Sequence, residues 1–296
     1  MNKGETLTHL SNARYYLWVK VSIPTAINKL VKLLDLENAK DKLIPANPDI
    51  RLSKDDSPTL EQLSGETREM QSIYRTIVGS CIWLQTTCRP DISYALIQLS
   101  SHMANPGYTH MKAATWIVQY LKGTANWGVK YTSTGNKHFE GYVDSDYGIE
   151  RNVFMYLFFL SGGPISWKAA FSSVSTSTCE AELRGVHGAK EAIKQLIWLT
   201  KLCHEVGLDL IEINGKRTMP LIIHEDNEAM ISYAMNGNRH TLMRHLERDL
   251  NWIREAVNKQ LITFSHTKTA EMWSDIGTKP LTVSPFQYIR QNIVVP

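Results

Sequence analysis

A series of short β-rich runs in the second half of the chain constrains the fold more than any other feature. The runs WGVKYT, HFEGYVDSD, FMYLFFL and PISWKAA are divided by Gly, Asn and Pro, which is typical of a meander of hairpins. A long helical pattern follows over about 179–205, then an apolar run at 220–226 and a strand-like run at 261–266. Strands that come first in series and then alternate with helices predict a mixed sheet with helices packed on it.

The first part of the chain has helical periodicity instead. Residues 26–35 place their apolar side chains on one helical face, and the pattern stays helical over about 71–123. The polar, turn-rich stretch 47–70 is interpreted as a linker or an extended connection. We therefore expect two domains, a helical region over 1–125 and an α/β domain over 126–296.

Composition leaves several function classes open and disfavours others. A net charge of +3 permits nucleic acid as a partner without requiring it. The four cysteines have no CxxC spacing, so a structural zinc site is not indicated. The longest apolar run, VFMYLFFL at 153–160, is too short to cross a bilayer as a helix. No membrane association is expected.

Three acids, Asp144, Asp146 and Glu182, lie on the predicted sheet or are expected to face it. Asp144 and Asp146 alternate along one predicted strand and share a face, and their spacing alone does not choose between them. Glu182 extends the apolar stripe of the long helix at its N-terminal end, so we expect it to point towards the sheet. A carboxylate placed there is costly unless it is paired or binds a metal.

Two further acids have plainer alternative interpretations. Asp226 follows the apolar run at the start of a helix, a position where ligands of α/β sheets often bind. Alternatively, Asp226 or Asn227 only caps that helix. Asp275 lies in a short helical pattern and, taken alone, is interpreted as a surface acid.

Taken in order, the segments GYVDSD, CEAEL, IIHEDNEAM and SDIGTKPL resemble the ribonuclease H domain of Ty1/copia-type retrotransposon Pol polyproteins. The segments LSKDDSP, YRTIVGSCIWLQTTCRPDISYA and GGPISWK resemble the part that joins the reverse transcriptase of these elements to its ribonuclease H. The resemblance covers about 25–281 and implies the C-terminal part of such a polyprotein. It implies a truncated thumb/connection-like helical region followed by a ribonuclease H-like α/β domain, a mixed five-stranded sheet flanked by helices.

The resemblance also implies a reaction. In this family, acids from a first strand, a first helix, a second strand and a late helix hold two Mg²⁺ ions, for which Mn²⁺ is a substitute. The expected reaction is two-metal hydrolysis of the RNA strand of an RNA–DNA hybrid. Carried over by motif, the quartet is Asp144, Glu182, Asp226 and Asp275, and the family motif selects Asp144 over Asp146.

A histidine and two basic clusters complete the expected site. His266 precedes Asp275 by nine residues, in a loop where related ribonucleases H carry a histidine that helps product release or proton transfer. Its alternative interpretation is a surface histidine at a strand end. Basic residues near aromatic ones suit nucleic-acid contact, although such clusters are more often solvated faces. The residues proposed for this contact are Lys112, Lys122, Lys130, Arg244 and His245.

One departure from the family leads to rival hypotheses. The loop after Asp146 is several residues shorter than the family norm, and loop length fixes the register of a hairpin. The first rival is therefore a catalytically inactive nucleic-acid-binding relic of the same domain. The second is a docking module for a separate reverse transcriptase chain, which predicts an exposed apolar patch on 26–35. The expected location is the cytoplasm or nucleus, within a retrotransposon particle.

Overall fold

The structure is a computed structural model, and it describes residues 18–135, 139–146, 152–172, 185–207, 212–213, 216–217, 220–236 and 244–296. The helices of this part are α1 Pro24–Leu33, α2 Gly65–Thr87, α3 Ser93–Ser100, α4 Tyr108–Gly123, α5 Gly185–Glu205, α6 Glu228–Asn236, α7 Arg244–Asn258, α8 Asp275–Thr278 and α9 Val283–Ile293. The strands are β1 Trp18–Val21, β2 Val129–Thr132, β3 Glu140–Asp146, β4 Val153–Leu160, β5 Gly163–Phe171, β6 Glu212–Ile213, β7 Lys216–Arg217, β8 Leu221–Glu225 and β9 Ile262–His266.

The chain divides into two compact units, and the division differs from the single boundary expected near residue 125. One unit is Met1–Ser133 together with Lys279–Pro296, and the other is Thr134–Thr278. The C-terminal segment joins the first unit through backbone pairing. The amide of Gly128 donates to the carbonyl of Val295 at 3.0 Å, and the amide of Val295 donates back at 2.8 Å.

The apolar face of α1 is buried inside the helical unit. Ile27, Leu30 and Val31 of α1 are buried, and this helix packs against α4. The exposed apolar patch that the docking-module hypothesis predicts on 26–35 is therefore not found, since a neighbouring helix of the same unit packs on that face.

The interpretation of 47–70 as a linker is also partly wrong. It contains two short 3₁₀ turns, Lys54–Asp56 and Leu60–Gln62, and α2 already begins at Gly65. The Ser64 hydroxyl accepts a hydrogen bond from the Thr67 amide at 3.2 Å and caps that helix.

A fully buried ion pair joins the end of α2 to the end of α4. Arg89 donates to the two carboxylate oxygens of Asp91 at 2.9 and 2.8 Å, and it also donates to the carbonyl of Thr124 at 2.9 Å. The Tyr120 hydroxyl donates to Asp91 at 2.5 Å. Every charged atom of this pair has a partner, which a buried ion pair requires.

We expect Asp91→Asn to lower the free energy of unfolding by roughly 3–5 kcal/mol, because it leaves the Arg89 charge buried and uncompensated. The matched control is Asp41→Asn. Asp41 pairs with Lys122 at 3.2 Å but is half exposed, so its loss should cost at most about 1 kcal/mol. Urea unfolding of both variants tests this, and equal losses would contradict it.

His110 of α4 is held in one neutral form. Its Nδ1 accepts from the Gly107 amide at 2.9 Å, and its Nε2 lies 3.0 Å from the Ser53 carbonyl, which makes Nε2 the protonated nitrogen. Burial lowers the pKa of His110, although the Ser53 carbonyl and Asp56 raise it in part. Protonation of Nδ1 would break the bond from Gly107.

This geometry predicts a pH dependence of stability. The unfolded chain takes up the His110 proton at about pH 6.5 and the folded chain only at lower pH, so the free energy of unfolding should fall as the pH drops below about 6.5. Stability measured between pH 7.5 and 5 should show this slope, and His110→Gln should reduce it. A slope that is the same in the wild type and in His110→Gln would contradict this prediction.

The second unit is built on a mixed sheet with the strand order β5-β4-β3-β8-β9. Strands β3, β4 and β5 are antiparallel neighbours, whereas β8 runs parallel to both β3 and β9. The predicted mixed five-stranded sheet with flanking helices is confirmed, and β3 is its central strand.

Helices cover this sheet on both faces. The predicted stripe of α5 is confirmed, since Val186, Ala189, Ile193 and Leu196 are buried in one core with residues of the sheet and of α7. On the other face α8 lies against β4 so closely that a Cβ at Gly277 would come within 1.9 Å of Met155 Sδ. A larger residue at this position would require the Met155 side chain to move.

Candidate active site

Asp144 lies on the central strand and is almost completely buried, with 3% of its surface exposed. It belongs to the face opposite Val143, and its backbone partner on β4 is Met155. The Thr278 hydroxyl of α8 donates a hydrogen bond to Asp144 Oδ2. The side chain therefore points towards α8 and is held in place by it.

Asp275 begins α8 and is 4% exposed. Three stacked rings set its position on the sheet. Tyr142 lies between His224, at 4.6 Å between ring centroids, and Trp273, at 4.5 Å. Because Tyr142 and Asp144 are two residues apart on β3, the stack fixes the start of α8 over the face that carries Asp144.

Asp226 follows β8 directly and is half-buried. Its Oδ2 accepts a hydrogen bond from the Thr269 hydroxyl at 2.9 Å. The helix cap is its neighbour, because Asn227 Oδ1 accepts from the Met230 amide at 3.0 Å. Of the two residues named in the capping alternative, Asn227 caps α6, whereas Asp226 bonds to Thr269.

Glu225 is a buried acid that the sequence interpretation missed. Only 1% of it is exposed, its Oε1 accepts from the Asn227 amide at 3.3 Å, and its Oε2 has no hydrogen-bond partner among the described residues. Burial raises the pKa of Glu225 well above its usual value, and the charges of Asp144 and Asp226 raise it further.

A signal for Glu225 was present in the sequence. Leu221, Ile223 and Glu225 alternate along β8 and point inwards together, whereas Ile222 is 37% exposed. The interpretation of 220–226 as a strand buried on both faces hid this alternation and is wrong.

Glu182 lies outside the described residues. Within the described part of the chain, no three His, Cys, Asp or Glu side chains are grouped to hold a metal ion. The donors nevertheless suit a hard cation in kind, because all are carboxylates, and Glu225 presents one buried oxygen that lacks a partner there.

His266 ends β9, beside Glu225 of β8 in the sheet register. Its side chain is 45% exposed, and its Nε2 lies 3.7 Å from Glu228 Oε1. His266 is therefore open to solvent at the end of a strand. This position suits both a role in proton transfer or product release and a surface histidine without a role, so both interpretations stay predictions.

The five basic residues are spread over both units. Lys112 is exposed, and Lys130 Nζ lies 5.2 Å from the centre of the Trp18 ring. Lys122 donates to the Ala39 carbonyl at 2.5 Å and pairs with Asp41, so it already has partners inside the helical unit. Arg244 and His245 begin α7, and their side chains lie outside the description.

The chain is similar over most of its length to Pol polyproteins of transposons. It is 31% identical over 289 residues to the retrovirus-related Pol polyprotein from transposon RE1 of Arabidopsis thaliana, which covers 95% of this chain. It is 28% identical over 272 residues to the corresponding polyprotein from transposon TNT 1-94 of Nicotiana tabacum, which covers 90%. The chain belongs to the Pol polyproteins of copia-type transposons. It spans 19% of the length of each of these two relatives.

No family model matches the chain. The solved structure of LC11-RNase H1, isolated from compost, matches 48% of this chain and 93% of its own, at 10% identity and a TM-score of 0.37. The ribonuclease H-like fold of this Pol segment is recognised from the strand order β5-β4-β3-β8-β9 of its mixed sheet. The superposition on LC11-RNase H1 is not used for this assignment. No helix in the described part is long and apolar enough to cross a membrane.

We expect Thr278→Val to lower the free energy of unfolding by about 1–3 kcal/mol in metal-free buffer, because it removes a hydrogen bond to the buried Asp144 carboxylate. Thr278→Ser keeps the hydroxyl and should lose less. Urea unfolding of the two variants compares them, and a Val variant as stable as the Ser variant would count against this role.

Proposed function

We propose that this segment is the ribonuclease H of a copia-type Pol polyprotein and hydrolyses the RNA strand of RNA–DNA hybrids with two divalent cations, Mg²⁺ or Mn²⁺. One observation carries the proposal. Two almost completely buried carboxylates, Asp144 on the central strand and Asp275 at the start of α8, lie on one face of the sheet, next to the end of β8 that carries Asp226.

The burial of these acids suits a cation site, because a buried carboxylate is costly unless it is paired or coordinates a metal. Asp144 accepts a hydrogen bond from the Thr278 hydroxyl, which fixes one of its carboxylate oxygens.

Four side chains would hold the cations in this proposal: Asp144, Glu182, Asp226 and Asp275. When bound, divalent cations activate a water and neutralise the charge that develops on the phosphate. The protein contributes rigid placement, because Asp144 is fixed by its hydrogen bond to Thr278 and α8 by the Tyr142 ring stack.

Other residues are assigned roles outside the acid set. His266, half exposed at the end of β9, would transfer a proton or help product release. Lys112 and Lys130 would contact phosphates from the helical unit, and Arg244 and His245 would do so from the start of α7. The helical unit would be the thumb/connection-like part, acting with a reverse transcriptase in an intracellular transposon particle.

A catalytically inactive relic that still binds nucleic acid is the second candidate. It is favoured by the lack of a three-ligand group within the described residues. It is also favoured by the short connection that pairs Asp146 directly with Val153 across the hairpin. The docking-module hypothesis is not favoured. It needs an exposed apolar face on α1, and that face is covered inside its own unit.

We expect the purified chain to cleave a labelled RNA–DNA hybrid in Mg²⁺ or Mn²⁺, and Asp144→Asn to reduce the rate at least ~100-fold while binding of the hybrid persists. This factor is the upper end of what outer-shell metal-site changes cause, so loss of a direct ligand should reach it. The surface variant Glu255→Gln removes one negative charge elsewhere and should cleave normally.

The relic hypothesis predicts a different result. In that case the wild-type chain is inert, and it binds the hybrid equally well with and without Mg²⁺. That outcome would overturn the ribonuclease proposal.

A further inference from the structure

We propose that the two-stranded ribbon of β1 and β2 binds single-stranded nucleic acid, with Trp18 stacked on an unpaired base and Lys20 and Lys130 on phosphates. The ribbon belongs to the helical unit. The inference goes beyond the ribonuclease proposal, which assigns only Lys130 of these three residues to phosphate contact. It does not depend on hydrolysis.

The register of the ribbon separates its two faces. Antiparallel pairing sets Trp18 opposite Thr132 and Lys20 opposite Lys130, and residues that lie directly opposite each other share a face. Val129 alternates with Lys130 along β2, so it lies on the other face, and it is 1% exposed. The face that carries Trp18 and the two lysines is therefore turned away from the core of the helical unit.

The two lysines form an unfavourable pair unless an anion joins them. Like charges directly opposite each other on neighbouring strands destabilise a sheet. Lys20 Nζ donates to the Asn126 carbonyl at 3.2 Å, which uses one of its three N–H donors. Among the described residues, neither lysine forms an ion pair with a carboxylate. The sequence has no Asp or Glu over 18–34 or 107–139, so the charge of the ribbon suits an anionic partner.

Trp18 favours nucleic acid over other anions. Its side chain is 54% exposed, and Lys130 Nζ lies 5.2 Å from the centre of its ring. A cation–π contact at an exposed site is weak, so it does not exclude a partner from the ring. An open aromatic ring beside two lysines offers a flat surface to a base and cations to the adjoining phosphates.

The ring also selects the single-stranded form. In a duplex both faces of each internal base are covered by neighbouring base pairs, and freeing a base costs unstacking and unpairing energy. In a single strand the faces of the bases are open, and stacking on an aromatic side chain tolerates any sequence. We therefore expect the ribbon to bind single strands more tightly than duplexes of the same length, with little sequence preference.

Fluorescence anisotropy tests the role of the ring. The full chain is titrated into labelled oligothymidine of ~20 nucleotides, longer than the sites of about 4–16 nucleotides that stacking platforms cover, in buffer without divalent cations. We expect Trp18→Ala to weaken binding about 5- to 100-fold, the range for loss of one base stack, and Trp18→Phe to retain most of the affinity. The control is Trp198→Ala, because Trp198 of α5 is also 54% exposed, and it should bind as the wild type does.

The salt dependence of the same binding reaction tests the lysines. Each phosphate contact to a single strand contributes about 0.7 to the slope of log affinity against log salt concentration, so the double variant Lys20→Gln and Lys130→Gln should lower that slope by about 1.4. The control double variant Lys29→Gln and Lys32→Gln removes the same charge from exposed positions of α1 and should leave the slope unchanged. Thermal unfolding shows that each variant is folded. Should Trp18→Ala not fold, Trp18→Gln takes its place.

Several results would overturn the inference. One is a Trp18→Ala variant that binds as tightly as the wild type, and another is an equal loss of slope in the two double variants. Wild-type binding to a DNA duplex or to polyglutamate of the same length that is as tight as binding to oligothymidine would show a general anion surface instead. The ribonuclease proposal fails or stands separately, because this assay involves neither cleavage nor a divalent cation.

Discussion

The central position of β3 in its sheet is the constraint on which the candidate site depends. This strand is paired with β4 on one side and with β8 on the other, and helices cover both of its faces. A side chain on β3 therefore has little access to water, and a carboxylate there needs a partner supplied by the fold or by a ligand. Asp144 accepts a hydrogen bond from Thr278, and α8 is brought to this point by the stacking of Tyr142 and Trp273.

Two buried charged groups of the chain differ in how fully their hydrogen bonds are satisfied. In the helical unit Arg89 and Asp91 neutralise each other completely, with further bonds from Tyr120 and Thr124, so the network stabilises the junction of two helices. In the α/β unit Glu225 is equally buried, yet one of its oxygens has no hydrogen-bond partner among the described residues. A fully satisfied buried network stabilises the fold, whereas a buried group with an unpartnered atom lowers stability.

Much of the α/β unit could be predicted from periodicity alone. Alternation along β3 placed Asp144 and Val143 on opposite faces, and helical periodicity correctly predicted the buried apolar stripe of α5. Both predictions succeeded because each pattern depends only on the geometry of its own strand or helix. Choosing Asp144 over Asp146 needed the family motif, since both share a face. The inward Glu225 was missed because the apolar run around it was interpreted as one continuous buried strand.

The sequence by itself determined the local elements, their order and the family, which together specify a ribonuclease H-like sheet in a copia-type Pol segment. Tertiary structure alone decided which surfaces meet. It placed α4 over the apolar face of α1, returned the C-terminal segment to Gly128, and set α8 against Met155. The reason is physical: periodicity is a property of neighbouring residues, whereas the partner that covers a face comes from a distant part of the chain and leaves no local pattern.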